Sequence, residues 1–191
     1  MRIIGGKLRG RKLASPPDMR IRPTSDRARE ALFNILAHAD LTQDGTSPLG
    51  GAVVLDACCG TGAMGIEALS RGAARVVMVE QDRAVFDLLK STRDQIGAKQ
   101  VEVVLEDAFA YLKRMPAFDV VFLDPPFRQN ALPAVFKQLK GAPGMRVYAE
   151  SSEPFAPGAP WRELKQARAG QVSYQLFEWR SDDQGGLPGD V

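Results

Sequence analysis

Two short motifs and four acidic residues carry the chemistry that this chain could perform. In Val53-Val54-Leu55-Asp56-Ala57-Cys58-Cys59-Gly60-Thr61-Gly62-Ala63-Met64-Gly65, glycines 60, 62 and 65 follow an apolar run and open a helical pattern. Gly-x-Gly-x-x-Gly in that setting lets the backbone turn sharply and approach a nucleotide. Glu80 closes the next apolar run twenty residues after Gly60, where its carboxylate would accept hydrogen bonds from ribose hydroxyls. Taken alone, the glycines suggest a nicotinamide dinucleotide, whose pyrophosphate rests on the helix N-terminus. Asp56 argues otherwise, because a carboxylate at the strand end repels pyrophosphate and suits the cationic methionine moiety of S-adenosyl-L-methionine. Asp107, ending a third apolar run, can bond an adenine amino group or simply cap the following helix. With Asp124, these acids fall outside the carboxyl ends of their strands, where ligands of such sheets gather. Four acids fit a sulfonium better than a dinucleotide.

The second motif is Asp124-Pro125-Pro126-Phe127. Two prolines fix the backbone and supply no N–H, so the Asp124 side chain and nearby carbonyls present acceptors. An exocyclic amine of a nucleobase needs such acceptors, because its lone pair is delocalised into the ring. Acceptors gripping its hydrogens favour a pyramidal nitrogen that can attack a methyl group in line. Phe127 would stack on the base once the base has left its strand. Asp-Pro-Pro by itself also reads as a stiffened turn, and its place after a fourth strand gives it catalytic meaning.

These residues need strands that end together. The apolar runs 53–57, 75–80, 101–106, 118–123 and 145–148 read as strands, with helical spacing between them. Asp82 can cap a helix bearing Val85, Leu88, Leu89, Thr92 and Ile96, stopped by Gly97. Near-continuous apolar strands alternating with helices predict an α/β fold with a parallel sheet covered on both faces. Residues 161–168 and 171–180, joined at Ala169-Gly170, must instead run antiparallel. Residues 1–14 read as a small hairpin turning near Gly5-Gly6. Thr24 or Ser25 caps a helix with Ala28, Leu32, Ile35 and Leu36 on one face. The expected organisation is a basic extension over 1–40, a linker over 41–51, a cofactor-binding domain over 52–180 and a tail over 181–191.

With 191 residues, 45% of them hydrophobic and 25% charged, the chain can bury a core without a metal or disulfide staple. The adjacent Cys58 and Cys59 fit a reducing compartment. The single histidine, His38, leaves little room for a Ser-His-Asp triad or a metal site, and it reads as a surface residue at a helix end. No run of 18 apolar residues and no apolar leader core are present, so a cytoplasmic protein without a membrane partner is expected. Net charge is +2, yet residues 1–30 hold nine basic side chains against three acidic ones and the remainder is acidic. A +6 head on a −4 body suggests a polyanion bound at one end, or more plainly a solvated basic arm.

These motifs resemble those of the class I S-adenosylmethionine-dependent methyltransferases, with Asp124–Phe127 similar to their amino-methylating motif. Three further segments are similar to the bacterial 16S ribosomal RNA guanine-N2 methyltransferases. They are Met1-Arg2-Ile3-Ile4-Gly5-Gly6, the stretch Arg22-Pro23-Thr24-Ser25-Asp26-Arg27-Ala28-Arg29-Glu30-Ala31-Leu32-Phe33-Asn34, and Gly65-Ile66-Glu67-Ala68-Leu69-Ser70-Arg71-Gly72-Ala73. Cys59 departs from the alanine usual before that glycine, and it is small enough to fit. The resemblance implies a Rossmann-like, seven-stranded, mostly parallel sheet with a C-terminal antiparallel hairpin and a small N-terminal hairpin and helix. It also implies a monomer that methylates an rRNA base during small-subunit assembly. Cofactor contacts are then expected at Asp56, Ala57, Cys58, Gly60, Gly62, Glu80, Gln81, Asp107 and Ala108, with Thr24 at their border. Catalysis falls to Asp124, Pro125, Pro126 and Phe127. RNA contacts fall to Lys7, Arg9, Arg11, Lys12, Arg20, Arg22, Arg27 and Arg29, although Arg27 or Glu30 could equally form a structural ion pair. An adenine-N6 nucleic-acid methyltransferase, an NAD-dependent oxidoreductase and a non-catalytic RNA-binding assembly factor are the alternatives. No metal is expected.

Overall fold

Val53–Asp56 (β1) lies at the centre of the sheet, and its apolar run is buried because helices cover both faces there. Arg75–Glu80 (β2) pairs parallel to it on one side and Val120–Leu123 (β4) on the other. Val101–Leu105 (β3) extends the sheet beyond β2, and Arg146–Ser151 (β5) extends it beyond β4, both parallel. The chain then doubles back. Val172–Trp179 (β7) runs antiparallel to β5, and Trp161–Ala169 (β6) forms the outer edge, with a register shift between Glu163 and Lys165. The order β3-β2-β1-β4-β5-β7-β6 reverses direction between β1 and β4, which creates a crevice at the carboxyl ends of those strands. The computed structural model describes residues 1–14, 26–37, 47–114, 117–125 and 131–180. Expectations for Thr24, Arg20, Arg22, His38, Pro126, Phe127 and the 181–191 tail lie outside the described residues.

The helices follow from local signals. Asp26–Ala37 (α1) and Ala63–Ser70 (α2) join Arg83–Ile96 (α3) on one face of the sheet, where Phe33, Met78, Leu89 and Phe122 share a core. Ala108–Leu112 (α4) and Leu132–Gln138 (α5) cover the other face, over Leu55, Val77, Val121 and Phe177. Asp82 caps α3 by accepting from the N–H groups of Ala84 at 2.8 Å and Val85 at 3.1 Å. Gly97 ends it at φ +70.

Two strand boundaries differ from the sequence reading by more than one residue. β4 begins at Val120, because the Asp119 carboxylate accepts the Val53 N–H at 2.7 Å. β5 runs on through Ala149, Glu150 and Ser151, which pair with Gln175, Tyr174 and Ser173 of β7. Residues 1–14 do double back, through an antiparallel bridge between Arg2 and Lys12, but the turn is a 3-10 turn over Gly6–Leu8. Ile3 and Leu13 enter the same core as α1 and α2. Among the described residues no helix is long and apolar enough to cross a membrane.

Candidate active site

The crevice begins with a glycine turn that two carboxylates hold in shape. Gly60 and Gly62 adopt φ +51 and +71, left-handed values that favour glycine. A Cβ at Gly62 would also sit 2.7 Å from a Leu89 methyl carbon and 3.0 Å from the Met78 sulfur. Gly62 is the N-cap of α2. Asp56, at the end of β1, accepts the Gly65 N–H at 2.8 Å, and Glu80, at the end of β2, accepts the Gly60 N–H at 3.1 Å. The other Glu80 oxygen accepts the Asp82 N–H at 2.8 Å, which ties the turn to the start of α3.

The acids meet around Cys58. Burial pushes its thiol up to about 12, helped by the negative charges of Asp124, Asp56, Glu80 and Asp107. All four acids named from the sequence therefore act electrostatically on this one thiol. Cys59 is buried deeper and is also raised, first by burial, so both cysteines are neutral thiols near neutral pH. Asp56 is only 4% exposed. Burial lifts its carboxyl from 3.8 to about 7; the Gly65 hydrogen bond pulls it back, and the charges of Asp124 and Glu80 push it higher.

The remaining predicted residues fall as follows. Asp124 is half-buried immediately after β4, and Pro125 behind it is buried. Ala57 is buried and Gln81 exposed. Asp107 is exposed and caps α4 by accepting from Ala110 N–H at 2.8 Å; Ala108 follows it half-buried. Lys7, Arg9, Arg11 and Lys12 are exposed on the N-terminal loop, which docks at the far end of α2 from the crevice. Arg27 lies in α1, with its side chain outside the described residues.

Arg29 corrects the sequence reading. It is 1% exposed, so it cannot grip a phosphate. Its guanidinium instead bonds the Arg2 carbonyl at 2.6 Å and the Met1 sulfur at 2.8 Å, and it lies 4.0 Å from the Glu67 carboxylate. A buried cation is tolerated only beside such partners.

Two groups escaped the sequence reading. Glu67, fully buried on α2, accepts the N–H groups of Ile4 and Gly5, each at 2.8 Å, and pairs with Arg71 at 2.8 Å. One acid in the otherwise apolar Met64–Leu69 stretch was the available signal. On β5, Tyr148 donates to the buried Glu150 at 3.0 Å; Glu150 follows the last β4–β5 pair, Leu123 with Ala149, as Asp124 does on β4. Burial, the Glu150 carboxylate and Asp124 all push the Tyr148 hydroxyl up. Polar residues at alternate positions of an apolar run, Arg146, Tyr148 and Glu150, were the signal for that pair.

The strand order, the glycine turn and the acidic rim define a Rossmann-like methyltransferase fold of class I. A family model described as Conserved hypothetical protein 95 matches residues 1–178. "Ribosomal RNA small subunit methyltransferase D" of Escherichia coli strain K12 is 38% identical over 186 residues, covering 93% of this chain and 89% of the relative. The Haemophilus influenzae protein of the same name is 35% identical, covering 93% of each chain. The chain belongs to this family. A methyltransferase structure from Escherichia coli superposes with a TM-score of 0.82 at 36% identity, covering 95% of this chain and 99% of that one. An RNA methyltransferase from Salinibacter ruber, solved with S-adenosyl-L-homocysteine, shares the fold with a TM-score of 0.59 at 21% identity, covering 89% of this chain and 99% of that one.

Proposed function

We propose that this chain transfers a methyl group from S-adenosyl-L-methionine to the exocyclic N2 of a guanine in small-subunit ribosomal RNA. The observation that carries this reading is the convergence of Asp56, Glu80, Asp107 and Asp124 on one crevice beside a glycine turn. Its donor set suits the cofactor. Carboxylates on successive strand ends accept from ribose hydroxyls and an adenine amine, the turn admits a close backbone approach, and the summed negative charge favours a cation. Glu80 and Asp107 would take the ribose and adenine, with Ala57, Cys58, Gly60, Gly62, Gln81, Ala108 and Thr24 around them. Asp56 would act by holding the glycine turn, since its carboxyl is buried against the Gly65 N–H.

When bound, the cofactor supplies an electrophilic methyl group on a sulfonium. Asp124 does the rest of the chemistry from the chain's side. Its carboxylate would accept the amine hydrogens and orient the nitrogen lone pair, and it is the group placed to take the proton the nitrogen loses on methylation. Pro125 and Pro126 keep competing donors away, and Phe127 stacks on the unstacked base. Lys7, Arg9, Arg11 and Lys12 grip phosphates, with Arg20, Arg22 and Arg27. We place the protein in the cytoplasm as a monomer acting during small-subunit assembly.

The decisive experiment incubates the protein with methyl-labelled cofactor and small-subunit RNA, free or in particles, then identifies the methylated nucleoside by mass. N2-methylguanosine is the expected product. N6-methyladenosine would transfer the assignment to the adenine-directed class, and no labelled nucleoside would end it. Asp124→Ala is expected to lose roughly 10²-fold or more of turnover, by analogy with positioned acid–base groups, while the cofactor Kd stays within about twofold. Turnover equal to wild type would remove Asp124 from the mechanism.

A further inference from the structure

The basic loop and the cofactor's helix are joined by a device that RNA gripping alone does not need. Glu67 is fully buried, yet it takes two consecutive backbone N–H groups of the loop, from Ile4 and Gly5. One turn further along α2, Ser70 accepts the Leu8 N–H at 2.9 Å and donates to the Gly5 carbonyl. Gly6 lies flush on the helix end: a Cβ there would sit 1.9 Å from the Ser70 carbonyl oxygen. Arg29 adds a third element, reaching from α1 to the Arg2 carbonyl beside Glu67. Arg11 reaches the Ile96 carbonyl, at the C-terminal end of α3, at 3.4 Å. The exposed Lys7 and Arg9 are thereby held at the opposite end of α2 from the glycine turn.

That spacing is set by the helix. From Gly62 to Ser70 the axis advances about 12 Å at 1.5 Å per residue, a span of roughly three to four nucleotides of a stacked strand. A rigid α2 with the loop clamped to one end and the cofactor turn at the other is a ruler. We infer that Glu67 is a positioning residue for the methyl transfer: it fixes the phosphate-gripping loop at a set distance from the methyl donor, so that RNA held at the loop presents its base in register. The inference rests on the RNA-methylating reading above. It assigns Glu67, Ser70 and Gly6 a role in register, distinct from the affinity supplied by the basic side chains.

The signature is a split between kcat and KM. An unclamped loop still carries its charges on a tether, so RNA still binds, but it binds out of register. Misplacement by about 1 Å costs up to 10²-fold in rate. Glu67→Gln replaces one acceptor with an amide donor facing the loop N–H groups. Gly6→Ala dislodges the loop from Ser70 while leaving every buried charge in place, and it decides the matter if Glu67→Gln does not fold. Each variant is assayed on the RNA substrate that the wild-type protein methylates, with three readouts: kcat at saturating RNA, KM for RNA, and cofactor Kd. The expected result is a kcat lowered about ten- to a hundredfold, with KM within about threefold and cofactor Kd unchanged. A raised KM with intact kcat would make the clamp only part of the grip, and the inference would fall. A loss of cofactor affinity in proportion to kcat would show a merely structural role for α2 and would overturn it too, as would no change at all. If wild-type protein methylates no RNA, the functional reading fails instead, and the two failures are told apart.

Discussion

Burial makes Asp56 hold its proton up to about pH 7, which places a titrating group beneath the crevice. The raised value fixes the sign of its effect on stability. The folded state keeps a proton that the unfolded chain releases near 3.8, so stability is full below that value and falls as pH rises to about 7. The ceiling on this loss is of the order of 4 kcal/mol at about 1.4 kcal/mol per unit. Asp56→Asn cannot ionise and can still accept the Gly65 N–H. Thermal unfolding of the cofactor-free protein should show the variant several degrees more stable at pH 8, with the gap closing towards pH 5. Equal Tm values across that range would mean that Asp56 ionises freely. Residues of this kind were legible from sequence because their type and strand-end position already imply their chemistry. Arg29 was not. Whether an arginine meets solvent or Glu67, 38 positions away, depends on packing between α1 and α2 that no local pattern contains.

At the scale of elements, the glycine turn shows how little room the site leaves. Gly62 needs a left-handed backbone, and a Cβ there would press on Leu89 and Met78. Gly62→Ala therefore adds backbone strain and pushes on α3, costing roughly 1–3 kcal/mol from the strain alone. A cofactor titration should show at least about tenfold weaker binding than wild type; unaltered affinity would place the cofactor elsewhere. Strands and helices from 52 onward were readable because apolar runs, caps and glycine stops agree with one another, as at Asp82 and Gly97. The end of β5 was missed because Glu150 and Ser151 look like loop residues. The Tyr148 hydroxyl and the β7 ladder are what allow the buried carboxylate to remain in the sheet. The N-terminal turn was misplaced by one or two residues because Gly6 is fixed by contact with Ser70, a tertiary cause.

For the whole molecule, the small net charge of +2 conceals a separation along the sheet. Asp56, Glu80, Asp107 and Asp124 lie at the carboxyl ends of the strands, whereas Lys7, Arg9 and Arg11 project beside the C-terminal ends of α2 and α3. Of the two, only the latter can meet a polyanion favourably, so on the function proposed above encounter would be steered to that end. Reversing charge at Arg9 and Arg11 together should weaken RNA binding and flatten the dependence of log K on log salt, by about 0.7 for each single-strand phosphate no longer neutralised. A slope equal to that of wild type would remove the loop from the RNA interface. The composition predicted the asymmetry, but only the docking of the loop on α2 shows which end carries it.

The two outer strands of the sheet have a different consequence. β6 exposes Arg162, Glu163, Lys165 and Arg168 along an edge broken by its register shift, and five-residue β3 places Glu102, paired with Arg75 at 2.5 Å, within its own edge. An approaching strand from a second copy would meet charge and irregular spacing at either side. Lateral growth of the sheet by strand addition is disfavoured in both directions, where a flat, unguarded edge would recruit neighbours.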